Sequence, residues 1–369
     1  MPEEDRNSSD GDVVGELQYS MYGTRDAAQN WAEEYSECLV AAGFIRGVAN
    51  PCLFRHNKKD ICLTVHGDDF VAVGNDDDLE LVKSILMERY KLKTEVLGPG
   101  PDDAREVRIL NRVIRWTGGG IKLEADPRHA ELIVKHFELE GGRVGKVPGS
   151  KPLKKKPEES DDEDGAEVKP EVLPPREASE HRSVVARLNY LTADRPDLQF
   201  ATKELARSMS APTENDVQNC KKVARYLLGR PRVSMNFPWQ NEENELTVFS
   251  DSDWAGCTAS RKSTSGGVLM VGKHLLKTYS RQQKTIALSS AEAELYALVA
   301  ASAEALGLQA YAVDLGMSLT PRIMTDASAA LGIAQRRGLG KVRHVQTQAL
   351  WVQEVRLTGR LLQQSAWKL

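Results

Sequence analysis

Paired cysteines are what this sequence most plainly lacks. Five cysteines (Cys38, Cys52, Cys62, Cys220 and Cys257) are scattered over 369 residues, with no CxxC pair and no zinc-ligand spacing. An odd, dispersed set argues against a disulfide framework and suits reduced thiols, so an intracellular protein is expected. No apolar run approaches a membrane span, and the opening MPEEDRNSSDGD is polar and acidic where a signal peptide would be apolar. A membrane partner is therefore not expected. Strong charge of either sign is also missing. A net charge of −4 neither requires nor forbids a nucleic-acid partner, because basic residues can be placed locally beside an acidic metal site.

What is present is ordinary globular composition, 41% hydrophobic and 28% charged, in a chain long enough for two or three domains. The composition breaks once. KPLKKKPEESDDEDGAEVKPEVLPPREASE, residues 151–180, runs from lysine to acid to proline with almost nothing to bury, and reads as a disordered linker. Before it, Trp31, Tyr35, Cys38 and Leu39 recur at helical spacing and stop near Gly43. A short strand at Cys52–Arg55 follows, then a hairpin, then a helix opened by Asp76, Asp77 and Asp78. Further β-structure is expected near Val107–Trp116 and Gly120–Glu124, with a helix at Arg128–Phe137. This order suggests an α+β unit with an antiparallel sheet.

After the linker, Val184–Leu228 reads as mostly helical, interrupted by Pro196 and Pro212. Three strands follow at Leu246–Ser250, Gly267–Val271 and His274–Ser280. Then come a helix at about Ala291–Leu308, a strand at Arg322–Thr325 and another helix. That alternation implies an α/β arrangement, a mixed sheet flanked by helices.

Two places carry acids in patterns that chemistry would use. In ICLTVHGDDFVAVG, apolar residues flank Asp68 and Asp69 on both sides, as in a tight hairpin. Turn chemistry alone accounts for Gly-Asp-Asp there, and a rigid pair of carboxylates for a divalent metal is the competing reading. Further on, Asp251 ends one strand in VFSDSDWAG and Asp326 ends another in IMTDASAAL. Each has a bland alternative, as a turn residue and as a helix N-cap respectively. In SSAEAEL, Ser289 and Glu292 form a capping-box pattern, which leaves Glu294 on or beside the apolar face with Leu295, Leu298 and Ser302. A carboxylate there is costly to bury without a cation or hydrogen bonds. Three acids from separate elements make a two-metal nuclease site the alternative to a structural ion pair.

Five segments then occur in an order that resembles the C-terminal part of a copia-class LTR retrotransposon Pol polyprotein. They are MYGTRDAAQNWAEEY, NPCLFRHNKKDICLTVHGDDF, RSVVARLNYLTADRPDLQFATKELARSMSAPTE, DSDWAGCTASRKSTSGG and SRQQKTIALSSAEAELYAL. The resemblance implies a partial reverse-transcriptase palm with an antiparallel sheet, followed by a ribonuclease H-like mixed sheet. The expected divisions are a polar segment at 1–18, a palm and thumb remnant at 19–150, the linker at 151–180, a helical connection at 181–240 and the ribonuclease H-like domain at 241–369.

By the same resemblance, Asp68 is a metal ligand and Asp69 its catalytic neighbour. Asp251, Glu294 and Asp326 match the acids that hold Mg2+ (or Mn2+) for cleavage of an RNA–DNA hybrid. RNA and DNA are the implied partners, with Arg261, Lys262, Arg281 and Lys284 as candidates for phosphate contact. The sequence also departs from the pattern. It starts downstream of a further palm aspartate, it stops at LLQQSAWKL before a terminal Ala-Asp segment, and Gln346 stands where many relatives carry Asp. Independent DNA synthesis is therefore not expected, and a second metal is expected to be weakened. The alternative is a decayed or co-opted fragment that binds nucleic acid without turnover.

Overall fold

The computed structural model describes residues 20–21, 23–149, 171–338, 340, 347–357 and 362–365. The expected N-terminal segment 1–18, residues 151–170 of the expected linker, and Gln346 lie outside the described residues. The chain divides into two compact units, Met1–Lys93 with Ala310–Met317, and Thr94–Gln309 with Ser318–Leu369.

In the first unit α1 (Ala27–Ala41) is followed by β1 (Phe44–Arg46), β2 (Leu53–His56), β3 (Cys62–His66) and β4 (Asp69–Val73), then α2 (Asp76–Arg89). The strands form an antiparallel sheet in chain order. Alternation along β2 and β3 buries Phe54, Leu63 and Val65, which pack with Tyr35 and Leu39 of α1 and Val82 and Leu86 of α2. The α2 start is set by Asn75, whose side chain accepts from the Asp78 N–H at 3.0 Å, and three aspartates occupy its first turn. The later segment contributes Asp314, whose carboxylate accepts from the N–H groups of Val48 and Asn50 at 2.9 and 2.8 Å.

The second unit holds two sheets. The first is an antiparallel meander of β5 (Glu106–Ile109), β6 (Arg112–Thr117) and β7 (Gly120–Glu124), followed by α3 (Pro127–His136), α4 (Pro175–Leu191), α5 (Gln199–Ala206) and α6 (Glu214–Gly229). Then β8 (Ser234–Pro238) returns to pair with β7. The second sheet is built from β9 (Glu245–Asp253), β10 (Thr264–Val271), β11 (His274–Gln282), β12 (Thr320–Thr325) and β13 (Leu362–Ser365), with the 25-residue α7 (Ser290–Asp314) between β11 and β12 and α8 (Ser328–Gln335) and α9 (Trp351–Leu357) between β12 and β13. Its order is β11-β10-β9-β12-β13. The first three strands are antiparallel, while β12 runs parallel to both β9 and β13. This is the mixed sheet flanked by helices that the order of elements predicts.

Three sequence expectations need correction. The linker was expected to reach residue 180, but α4 begins at Pro175, where a proline suits the first helical turn. Ala178 and His181 are then buried on the face turned to the core. Second, the boundaries 19–150 and 181–240 do not separate compact units, because β8 completes the sheet begun by β5. Glu124 of β7 is 2% exposed and is paired with Arg115 at 2.6 Å and with Arg232 just before β8. Burial works against its charge, yet the two guanidiniums hold its carboxyl below the usual range. One core also joins Ile133 and Val134 of α3 to Val185 and Leu188 of α4 and Val223 and Leu227 of α6. Third, α7 is long and apolar enough to cross a membrane by length and composition alone, although no such run was expected. Its alanines dilute the charges, and Leu295, Leu298, Ala301 and Ala305 are buried within the protein.

Candidate metal centre

β9 brings Asp251 into a ladder opposite Gly266 of β10. The strand continues to Asp253, so Asp251 is a strand residue and not the turn residue of its bland reading. β12 ends at Thr325 and delivers Asp326 just beyond it. The N-cap of α8 is Ala327, so Asp326 is not the capping residue either.

α7 supplies the third acid. Its start is a reciprocal cap: Ser289 Oγ accepts from the Glu292 N–H at 3.2 Å, and the Glu292 carboxylate accepts from the Leu288 N–H at 2.7 Å. Tyr296 also donates to Glu292 at 2.9 Å. Glu292 therefore serves the helix start, and Glu294, two residues later, faces the sheet. One carboxylate oxygen each from Asp251, Glu294 and Asp326 lie within 4.8 Å of one another. Among the described residues this is the one cluster of three or more metal-ligating side chains.

Glu294 is 6% exposed, while Asp251 and Asp326 are open to solvent. Its Oε1 accepts from both the N–H and the hydroxyl of Ser252, at 3.1 and 2.7 Å. Its Oε2 is buried and has no hydrogen-bond partner. Burial pushes the Glu294 carboxyl up, the Ser252 hydroxyl opposes this, and the charges of Asp251 and Asp326 push it further up. The site is thus unfavourable as three bare carboxylates. An all-oxygen donor set with one buried oxygen awaiting a partner fits a hard divalent cation such as Mg2+ or Mn2+.

Asp68 and Asp69 lie in the first unit and form no such cluster. Gly67 and Asp68 are the two-residue turn between β3 and β4, with His66 paired to Asp69. Gly67 has φ +63°, as the first central position of this turn class requires. The Trp31 indole N–H donates to Gly67 O at 2.7 Å and ties the turn to α1. Both aspartates are exposed, and among the described residues no third acid joins them.

Of the candidate phosphate contacts, Arg281 is engaged within the protein. It pairs with Glu304 at 2.6 Å and lies over the Tyr279 ring at 4.9 Å. Arg261 and Lys284 are exposed, and Arg261 holds a left-handed φ of +55°. Lys262 is half-buried.

Two residues escaped the sequence reading. Ser252 carries only the weak signal of lying between two acids. Gln283 carries none, yet its amide donates to Ala293 O at 2.8 Å and Ser265 Oγ at 3.0 Å, fastening the first turn of α7 to the sheet.

No family model matches the chain. Similar proteins include the retrovirus-related Pol polyprotein from transposon RE1 of Arabidopsis thaliana, 27% identical over 83% of this chain and 20% of that protein. Another is the corresponding polyprotein from transposon TNT 1-94 of Nicotiana tabacum, 23% identical over 93% of this chain and 25% of that protein. The chain thus spans a fifth to a quarter of these relatives' length. Among solved structures, a foamy viral protease-reverse transcriptase in complex with double-stranded DNA superposes with a TM-score of 0.53. It covers 93% of this chain and 49% of that one at 14% identity, a likeness of fold. Along most of its length the chain is similar to the retrovirus-related Pol polyproteins of copia-type retrotransposons.

Proposed function

We propose that the second unit is a divalent-metal-dependent ribonuclease acting on RNA–DNA hybrids, and that the Asp68–Asp69 hairpin is a reverse-transcriptase remnant without independent polymerase activity. The observation that carries the first half is the approach of Asp251, Glu294 and Asp326 to within 4.8 Å, with Glu294 Oε2 buried and unpartnered. These three side chains would hold the cation. When bound, magnesium or manganese supplies polarisation of a phosphodiester and a lowered pKa for attacking water, in the two-ion form of the chemistry. The protein's own part is to fix the carboxylates. The Glu292 cap and the Gln283 clamp set the start of α7, and β9 and β12 bring in the two aspartates. The likeness to Pol polyproteins of retrotransposons supports the hybrid as substrate, with recognition by shape, backbone and 2′-hydroxyl. The second half of the proposal rests on the exposed hairpin, which no third carboxylate joins among the described residues.

Melting of the full chain tests the metal centre. At a hundredfold excess over Kd, Mg2+ or Mn2+ is expected to stabilise it by about 2.7 kcal/mol. Glu294→Gln removes that response together with any cleavage of a labelled hybrid, while Glu292→Gln keeps the metal response. No metal response in the unmodified protein would favour the non-enzymatic, nucleic-acid-binding fragment. On the same samples a primed template stays unextended. Extension that is lost in Asp68→Asn would overturn the remnant reading.

A further inference from the structure

We propose that Ser252 is a positioning residue for the acid cluster, selecting Oε2 of Glu294 as the oxygen that meets a divalent cation. The inference rests on the metal-centre reading above and adds a residue to it. Ser252 lies in β9 between Asp251 and Asp253 and offers two donors from one residue, its backbone N–H at 3.1 Å and its hydroxyl at 2.7 Å. Both converge on Glu294 Oε1. A glutamate side chain has three rotatable bonds, and a carboxylate with equivalent oxygens can turn about the last of them. Two donors on one oxygen remove that freedom and make the oxygens different.

The consequence falls on Oε2. It is buried without a hydrogen-bond partner, and such an atom in a folded protein calls for an explanation. The other two members of the cluster are the carboxylates of Asp251 and Asp326, which are acceptors and cannot donate to it when ionised. A cation between the three groups satisfies all of them at once. Ser252 acts before the ion arrives by holding Oε1 back towards the strand, so that Glu294 offers one oxygen and not two. Replacing a group that orients a metal-ligating side chain in this way typically costs about 10–100-fold in metal affinity or activity.

The test is Mn2+ binding to the full chain, read by the electron paramagnetic resonance signal of free Mn2+ and by calorimetry. Ser252→Ala keeps the backbone N–H and loses the hydroxyl, and about a tenfold loss of Mn2+ affinity is expected. Ser252→Thr retains a hydroxyl on a strand-favouring residue, and affinity returns to within about twofold of the unmodified protein. Metal-free melting of the alanine variant stays close to that of the unmodified chain, which separates loss of orientation from loss of fold. Unchanged Mn2+ affinity in Ser252→Ala overturns the proposal. So does a threonine variant as weak as the alanine one, because the hydroxyl would then not be the operative group. If the unmodified protein binds no Mn2+, the metal-centre reading itself fails, an outcome distinct from both.

Discussion

Cys257 and Cys220 are both free thiols, in opposite surroundings. Cys257 follows β9, and although burial acts to raise its pKa, three donors outweigh that effect. The Ser260 hydroxyl lies 2.9 Å from the sulfur, the Ser260 N–H 3.2 Å and an Arg207 guanidinium N–H 2.7 Å. Together they bring the thiol down to about 7. Cys220 is fully buried in the helical core and is pushed up to about 12 by desolvation first and Asp216 second. Since the thiolate is the reactive form, alkylation by iodoacetamide is expected to be half-maximal near pH 7 at Cys257 and negligible at Cys220 in the folded protein. The sign follows from the partners: Arg207→Ala removes a donor to the thiolate, so the Cys257 profile moves to higher pH. Peptide-level mass spectrometry of pulse-labelled protein reads both. A Cys257 profile near the ordinary thiol value of about 8.5 would show that the donors do not act on it.

At the scale of elements, the clearest constraint is in the middle of β10. Gly267 sits opposite Tyr279 of β11, and a Cβ added there would run into the phenol ring. Tyr279 is 6% exposed and has Arg281 over its ring, so it has little room to yield. Gly267→Ala is expected to destabilise the unit by about 1–3 kcal/mol in denaturant melts. The neighbouring Gly266→Ala, whose Cβ would approach nothing closer than Asp251 O at 4.0 Å, is expected to cost far less. Equal effects from both would mean that strand propensity, not the ring, sets the cost. The same scale shows what the sequence disclosed. Periodic apolar residues announced α1 and α2, and alternation announced β3 and β4, because each pattern is local. Asp326 was legible from a strand end and Glu294 from helical phase, whereas Asp251 lies inside β9, which runs two residues past it. Ser252 and Gln283 were not, because their bonds cross between elements and leave no periodic trace. β8 was missed for a similar reason: SMNFP ends in a proline, and only its partner β7 makes it a strand.

At the scale of the whole molecule, the segment between α3 and α4 does not divide independent pieces. Pairing of β7 with β8, the Glu124–Arg232 contact and the shared core of α3, α4 and α6 all join residues on its two sides. An engineered protease site placed within residues 151–170 is therefore expected to yield two fragments that stay together in native size-exclusion chromatography and separate in urea. Fragments that part without denaturant would restore the boundary drawn from composition. The disagreement has a physical origin: composition reports whether a segment can bury itself, and says nothing of whether the chains on either side of it meet.

The pairing of β7 with β8 also sets a schedule for the ribosome. The nearest partners, Glu124 and Ser234, are separated by roughly 110 residues of synthesis, which takes on the order of 6–20 s at common translation rates. Throughout that interval β5 to β7 can form their meander, but the outer edge of β7 presents unpaired N–H and C=O groups to any passing strand. Glu124 at the end of that edge is then still without Arg232. Its carboxylate then has Arg115 of β6 as its partner, and a charged residue on an open strand discourages a stray strand from docking there. The residue that is buried and doubly paired in the finished protein is thus, during translation, a guard on an open edge.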